Sequence, residues 1–150
     1  MELILWRHAE AEDGFPDSER KLTAKGEKQA AAMAAWLQAR LPEGYRVLAS
    51  PARRAQQTAM ALAADFATLP EIAVGASAEA ILGAAGWPDA KGAVVVVGHQ
   101  PTLGEVAAYI LADRRVSWSI KKSGVWWISS RNRRDESQTV LKLVISPDFL

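Results

Sequence analysis

Two runs in this chain are apolar at every position, and each stops at a histidine. Leu3-Ile4-Leu5-Trp6 leads into Arg7-His8, and Ala93-Val94-Val95-Val96-Val97 leads into Gly98-His99. A strand with one wet face alternates apolar and polar residues. A strand that is apolar throughout is covered on both faces, as in a parallel sheet. His8 and His99 are the only histidines. Both fall at the carboxyl end of a buried strand, where open α/β sheets bind their ligands.

The segments between these runs alternate strand and helix patterns. Ala9 to Lys21 is a polar loop, long enough to be functional. Thr23 is placed to cap a helix with Ala30, Met33, Ala34, Leu37 and Leu41 on one stripe, ended by Pro42 and Gly44. Gly26 falls in its first turn, where glycine weakens a helix by roughly 1 kcal/mol relative to alanine, so a backbone passing close by is expected. Arg46 to Ala49 reads as a short strand. Ser50-Pro51 then predicts a helix start, with serine at the cap and proline at the first position. Ala55, Ala59, Leu62, Ala63 and Phe66 form the apolar stripe of that second helix. Glu71 to Val74 reads as a third short strand and Ala76 to Leu82 as a short helix, followed by a loop over 84–92. Pro101 opens a further helix with Leu103, Val106, Ala107 and Ile110 on one face. Val125 to Ser129 and Thr139 to Ile145 form a closing hairpin, joined by a charged, solvated connection over Ser130 to Gln138. Trp126 and Trp127 are adjacent on a strand and must face opposite ways. The expected fold is an α/β three-layer sandwich, with a mostly parallel central sheet and helices on both faces.

Composition narrows the chemistry. The chain has 150 residues, which suits one domain spanning 1–150. A net charge of +1 gives no global field for nucleic acid or an anionic membrane. Arg131, Arg133 and Arg134 form a basic cluster, but Asp135 and Glu136 offset it, so no nucleic-acid partner is expected. With no cysteine, disulfides, thiolate metal sites and cysteine nucleophiles are excluded. The first apolar stretch is four residues, too short for a signal peptide or a membrane span. A cytoplasmic location without membrane attachment is the expectation.

The arginines define the reactive centre. Arg53 and Arg54 stand in the first turn of the second helix, where a cation opposes the positive end of the helix dipole. An arginine there makes sense if an anion lies between it and the helix end, and its planar fork suits phosphate. Arg7 beside His8 repeats the theme. Neighbouring guanidinium groups lower the pKa of an imidazole and keep it neutral, hence nucleophilic. They also stabilise charge on the oxygens of a transferring phosphoryl group. The set implies phosphoryl transfer through a phosphohistidine intermediate, with no metal and no cofactor. A metal hydrolase using both histidines is disfavoured, because no close-spaced ligand motif accompanies them.

Four motifs then resemble those of the histidine phosphatase (phosphoglycerate mutase-like) superfamily. Leu5-Trp6-Arg7-His8-Ala9-Glu10 resembles its Arg-His-Gly signature, and Leu22-Thr23-Ala24-Lys25-Gly26 its leucine-threonine…glycine element. Ser50-Pro51-Ala52-Arg53-Arg54-Ala55-Gln56-Gln57-Thr58 is similar to its serine-proline…arginine-alanine…glutamine-threonine motif. Val97-Gly98-His99-Gln100-Pro101 is similar to its second histidine motif. The resemblance runs in order from Met1 to about Ile110, and the short length together with Ser18 to Thr23 looks most like the SixA-type phosphohistidine phosphatases. It implies His8 as nucleophile, with Arg7, Arg54 and His99 as the phosphate pocket and Arg20 as an additional substrate-binding arginine. Arg53 corresponds to a variable position and is expected to face outward.

Two departures stand out. Ala9 replaces the usual glycine after the nucleophile, which is tolerable if its φ is negative. No motif fixes a general acid; Asp17, Glu10 and Glu79 are the candidates, in that order. The expected activity is a metal-independent phosphatase acting on protein phosphohistidine, whose imidazole leaves more readily than an alkoxide. Small phosphomonoesters are the alternative substrate class. A mutase is disfavoured because the chain has no long insertion from which to build a closing cover. A non-catalytic phosphate-binding module on the same fold is disfavoured by the retained His8.

Overall fold

The computed structural model describes residues 1–150. Six strands and four helices alternate as β1 (Glu2–Arg7), α1 (Ala24–Gln38), β2 (Arg46–Ala49), α2 (Arg53–Leu62), β3 (Ala67–Thr68), α3 (Ala78–Ala85), β4 (Ala93–Gly98), α4 (Thr102–Ala112), β5 (Val125–Arg133) and β6 (Glu136–Ile145). The sheet order is β3-β2-β4-β1-β5-β6. The first four in this order run parallel; β5 and β6 add an antiparallel edge.

The all-apolar runs sit in the middle, as a doubly covered strand must. All six residues of β4 are buried. The pleat of β1 sends Ile4 and Trp6 to one face, where they pack with Met33, Leu37, Ala55, Ala59 and Leu62 of α1 and α2. Leu3 and Leu5 go to the other face, against Ile81 of α3 and Leu103 and Val106 of α4. Helices therefore cover both faces, giving the three-layer α/β sandwich. Trp127 lies on the α1–α2 face, edge-on to Trp36, and Trp126 lies on the opposite face beside Trp118.

Thr23 caps α1 by accepting from the Gly26 N–H at 2.9 Å. The glycine has a steric cause as well: a Cβ at position 26 would run into the Glu10 carbonyl. Close approach of the post-β1 loop to α1 thus requires a residue without a side chain.

Several element boundaries differ from the sequence reading. Helix α1 ends at Gln38, ahead of Pro42 and Gly44, with Arg40 and Leu41 turning back onto the Leu37 carbonyl. Ser50 is not the cap of α2; Ala52 holds that position in extended backbone and the helix begins at Arg53. Pro51 consequently precedes the helix. Phe66 lies past the end of α2 and packs from a loop. Glu71 to Val74 is not a strand. Pro70 lacks the N–H a ladder needs and starts a 3₁₀ turn over Pro70–Ile72, and the third strand is the preceding pair Ala67–Thr68. Helix α3 is displaced to Ala78–Ala85 because Ser77 caps it, accepting from the Ala80 N–H, and Gly86 closes it in the left-handed region. The charged connection over Ser130 to Gln138 is mostly strand. Only Arg134 and Asp135 form the turn, both at positive φ, and the flanking residues pair up to Arg133 with Glu136.

Candidate active site

Strand register brings the two histidines together. Arg7 of β1 lies opposite Gly98 of β4, so the next residues along each strand are His8 and His99. Their ring centroids are 5.2 Å apart, close to the spacing of neighbouring strands. Ala49 at the end of β2 lies opposite Val97 on the other flank of β4. The carboxyl ends of three parallel strands thus meet, and the start of α2 follows directly from one of them.

Arg54, in the first turn of α2, sits at the centre. It is 3% exposed. Its Nε donates to His8 Nε2 at 3.3 Å, and one terminal nitrogen lies 3.5 Å from His99 Nδ1. Arg53, one residue earlier, faces solvent. The side chain of Arg7 anchors differently: a terminal nitrogen donates to the Ile120 carbonyl at 2.8 Å. Its Nε is the one buried side-chain nitrogen or oxygen with no hydrogen-bond partner. Such a charged N–H is satisfied only when an acceptor reaches it.

A hydrogen bond assigns the His8 tautomer. His8 Nδ1 lies 2.7 Å from the Ala9 carbonyl, which can only accept, so Nδ1 carries the proton. The lone pair is then on Nε2, facing Arg54. Burial is the main cause that pushes the His8 pKa down to about 4, reinforced by Arg54 and Arg7 and opposed by the Ala9 hydrogen bond. Burial likewise takes His99 down to about 3, with His8 and Arg54 adding to the effect. Both rings are neutral at physiological pH.

Ser50 was missed as a site residue. Its hydroxyl lies 2.7 Å from His99 Nε2 and accepts from the Ala52 N–H at 3.2 Å. The serine is fully buried and orients the second imidazole rather than capping the helix. Thr58 belongs to the same network. Its hydroxyl donates to the Arg54 carbonyl at 2.8 Å and accepts from the Ala9 N–H at 3.1 Å, tying α2 to the residue after His8. Gln57 accepts from the Leu22 N–H at 2.7 Å and Gln29 from the Glu10 N–H at 3.0 Å, fixing the same loop. Nothing in the sequence pattern marked Gln29. Ala9 itself is fully buried beside Leu22 and Ala30 and does not have a positive φ, so its methyl is accommodated.

The remaining candidates divide by position. Asp17 reaches the pocket: its Oδ2 is 3.1 Å from a terminal nitrogen of Arg54, and its main-chain carbonyl accepts from the other at 2.8 Å. Arg20 reaches it through Asp17, with Nε 3.0 Å from Oδ1. Hydrogen bonds from Arg54 and then Arg20 hold the Asp17 carboxyl below its ordinary pKa. Glu10 bonds the Thr23 hydroxyl at 2.8 Å and is likewise lowered, chiefly by that bond. Glu79 lies at the start of α3, paired with Arg115, and is lowered too. None of the three carboxyls holds a proton at neutral pH in this arrangement. No group of three or more His, Cys, Asp or Glu side chains is placed to hold a metal ion. Beside Arg20 the surface opens into a cavity of about 530 Å³ lined by charged residues of both signs and by Phe15, whose ring is fully in solvent. No helix is long and apolar enough to cross a membrane.

Comparison with known proteins identifies the family and the fold. Residues 3–77 match the model of the histidine phosphatase superfamily, branch 1. An uncharacterised protein of Picosynechococcus sp. is 36% identical over 165 residues, covering 100% of this chain and 99% of its own. Among solved structures, the protein histidine phosphatase SixA complexed with tungstate superposes with a TM-score of 0.80 at 24% identity, covering 99% of both chains. A phosphoserine phosphatase of Entamoeba histolytica, in complex with phosphoserine, gives 0.72 at 17% identity, covering 99% of this chain and 98% of its own. The α-ribazole phosphatase of Shigella flexneri gives 0.68 at 19%, covering 98% of this chain and 97% of its own. These three share the fold. Family match, full-length relative and fold together make the chain a phosphatase of the histidine phosphatase superfamily, branch 1, with its phosphoglycerate mutase-like architecture.

Proposed function

We propose that the chain is a metal-independent phosphatase that passes the phosphoryl group through His8 and takes protein-borne phosphohistidine as substrate. The observation that carries this reading is the His8 tautomer: Nδ1–H is committed to the Ala9 carbonyl, leaving the Nε2 lone pair directed at Arg54. A phosphoryl group that replaces the Arg54 contact at Nε2 has the nucleophile on one side and its equatorial oxygens among guanidinium N–H donors. Nε2 attacks phosphorus as the substrate's P–N bond breaks, and the bonding pair leaves with the substrate ring, which departs as neutral imidazole because its other ring nitrogen carries a proton. With Nδ1–H kept on the Ala9 carbonyl, the His8 ring becomes a phosphoryl-imidazolium whose positive charge is offset by the phosphoryl oxygens. Water then attacks phosphorus, the P–Nε2 bond breaks, and inorganic phosphate leaves.

Arg7, Arg54 and Arg20 bind the phosphoryl oxygens in this reading, and Ser50 holds His99 to face them. The partnerless Nε of Arg7 supports an anionic ligand. The three lowered carboxyls support a nitrogen leaving group, because imidazole departs without the strong acid that an alkoxide requires. The open, charged cavity beside Arg20 suits a side chain presented on a protein surface. Small phosphomonoesters are the second reading, favoured by the likeness to a phosphoserine phosphatase and an α-ribazole phosphatase.

The test is a substrate panel of phosphohistidine protein, phosphoserine and a sugar phosphate at several pH values, with trapping of the phosphoenzyme. The expected product is an acid-labile, base-stable adduct that His8→Ala does not form. Comparable turnover of an alkyl phosphomonoester and a phosphohistidine protein would count against the preferred substrate. Full activity in His8→Ala would refute the mechanism.

A further inference from the structure

We propose that Asp17 is a built-in counter-ion of the phosphate pocket, displaced by the incoming phosphoryl group and returning to help expel inorganic phosphate. The inference rests on the reading of Arg54 and Arg20 as phosphate ligands, and concerns how that site is occupied between turnovers.

Arg54 has five N–H donors and no acceptor. Nε is directed at His8, one terminal nitrogen at the Asp17 carbonyl, and the other at Asp17 Oδ2 and His99 Nδ1. Its bonding is nearly saturated by the protein itself. Asp17 Oδ1 meanwhile takes both Nε and a terminal nitrogen of Arg20, each at 3.0 Å. One carboxylate therefore bridges two guanidinium groups, as two oxygens of a phosphoryl group would. It is the only carboxylate paired with either arginine; Glu12 gives Arg20 only its main-chain carbonyl. A phosphoryl group seated on Arg54 must take over donors that Asp17 now holds.

The two partners are held very differently. Arg54 is rooted in α2, its side chain 4% exposed, whereas the Asp17 side chain is 57% exposed. Asp17 lies in a single 3₁₀ turn, Asp17–Glu19, in which no residue is buried and whose N-terminus has no side-chain cap. An element so little packed opens at small cost. When phosphate and carboxylate compete for the same donors, it is the Asp17 turn that yields. After hydrolysis the carboxylate lies close by, like-charged with the phosphate and matched to the donors that phosphate occupies.

Asp17→Asn tests this. The amide retains an oxygen that can accept from Arg54 or Arg20, but it has no charge. Inorganic phosphate is titrated calorimetrically into the wild type and the variant, and product inhibition is measured in parallel. Phosphate should bind roughly fivefold tighter to the variant, the scale of one partly exposed ion pair, with product inhibition strengthened to match. A carboxylate that merely supports Arg54 predicts the opposite sign, so unchanged or weaker phosphate binding overturns the proposal. If neither protein binds phosphate, the phosphate-pocket reading falls with it. A normal wild-type titration that Asp17→Asn leaves unaltered overturns this inference alone.

Discussion

Lowering the pH from 7 to 5 should destabilise the protein by about 4 kcal/mol, with the two buried histidines sharing the loss. The sign follows from the lowered pKa values. In the unfolded chain an imidazole titrates near 6.5. In the folded protein burial holds His8 at about 4 and His99 at about 3. Between these values the unfolded state binds more protons, so stability falls as pH falls through this window. At pH 5 both folded rings are still largely neutral, while the unfolded rings sit about 1.5 pH units below their titration point. At about 1.36 kcal/mol per unit, each ring contributes about 2 kcal/mol. Unfolded carboxylates titrate near 4 and contribute little above pH 5. The assay is urea denaturation at both pH values, on the wild type and on His99→Asn. The variant should lose about half as much stability as the wild type. A loss as large in the variant as in the wild type, or no loss in either, would refute the argument that burial keeps these rings neutral.

Three further outcomes follow. Gly26→Ala should destabilise by about 1–3 kcal/mol in the same assay, because its methyl meets the Glu10 carbonyl; helix propensity alone predicts a gain of roughly 1 kcal/mol, so the sign decides. Ser50→Ala should lower kcat roughly tenfold with little change in overall structure, since His99 loses the hydroxyl that orients it. Substituting the adjacent arginines should split cleanly by orientation: Arg54→Ala should cost on the order of a hundredfold or more in kcat/KM, whereas Arg53→Ala, on the solvent side, should stay within about twofold in steady-state assays.

The central strands and the paired histidines were legible because their signals are local and unambiguous. A β-branched run without polar interruption has few homes other than a doubly covered strand, and Gly26 announced a close approach by being glycine where alanine is better. The errors arose where one residue type serves two purposes. Ser50 before a proline reads as a helix cap, but a buried serine hydroxyl also pairs with imidazole, and only the register of β2 against β4 puts it beside His99. The turn at Arg134 and Asp135 carried no Asn-Gly signal, so the hairpin's length was invisible. Gln29 and Thr58 act through main-chain atoms distant in sequence, which no spacing rule reveals. The pairing of Asp17 with Arg54 was equally hidden, since a loop aspartate gives no sign of which cation it meets.

The side-by-side placement of His8 and His99 has a consequence for how the protein can fail. Both rings continue the alternation that buries Ile4 and Trp6 in β1 and Val95 and Val97 in β4 on the α2 side. A slip of β1 by one residue against β4 would turn His8, with Ile4 and Trp6, to the opposite face and away from His99. The register that sets the two rings side by side is therefore the same register that packs the core. The side-by-side placement of His8 and His99 should therefore be lost together with the cooperative melting of the sheet and not before it.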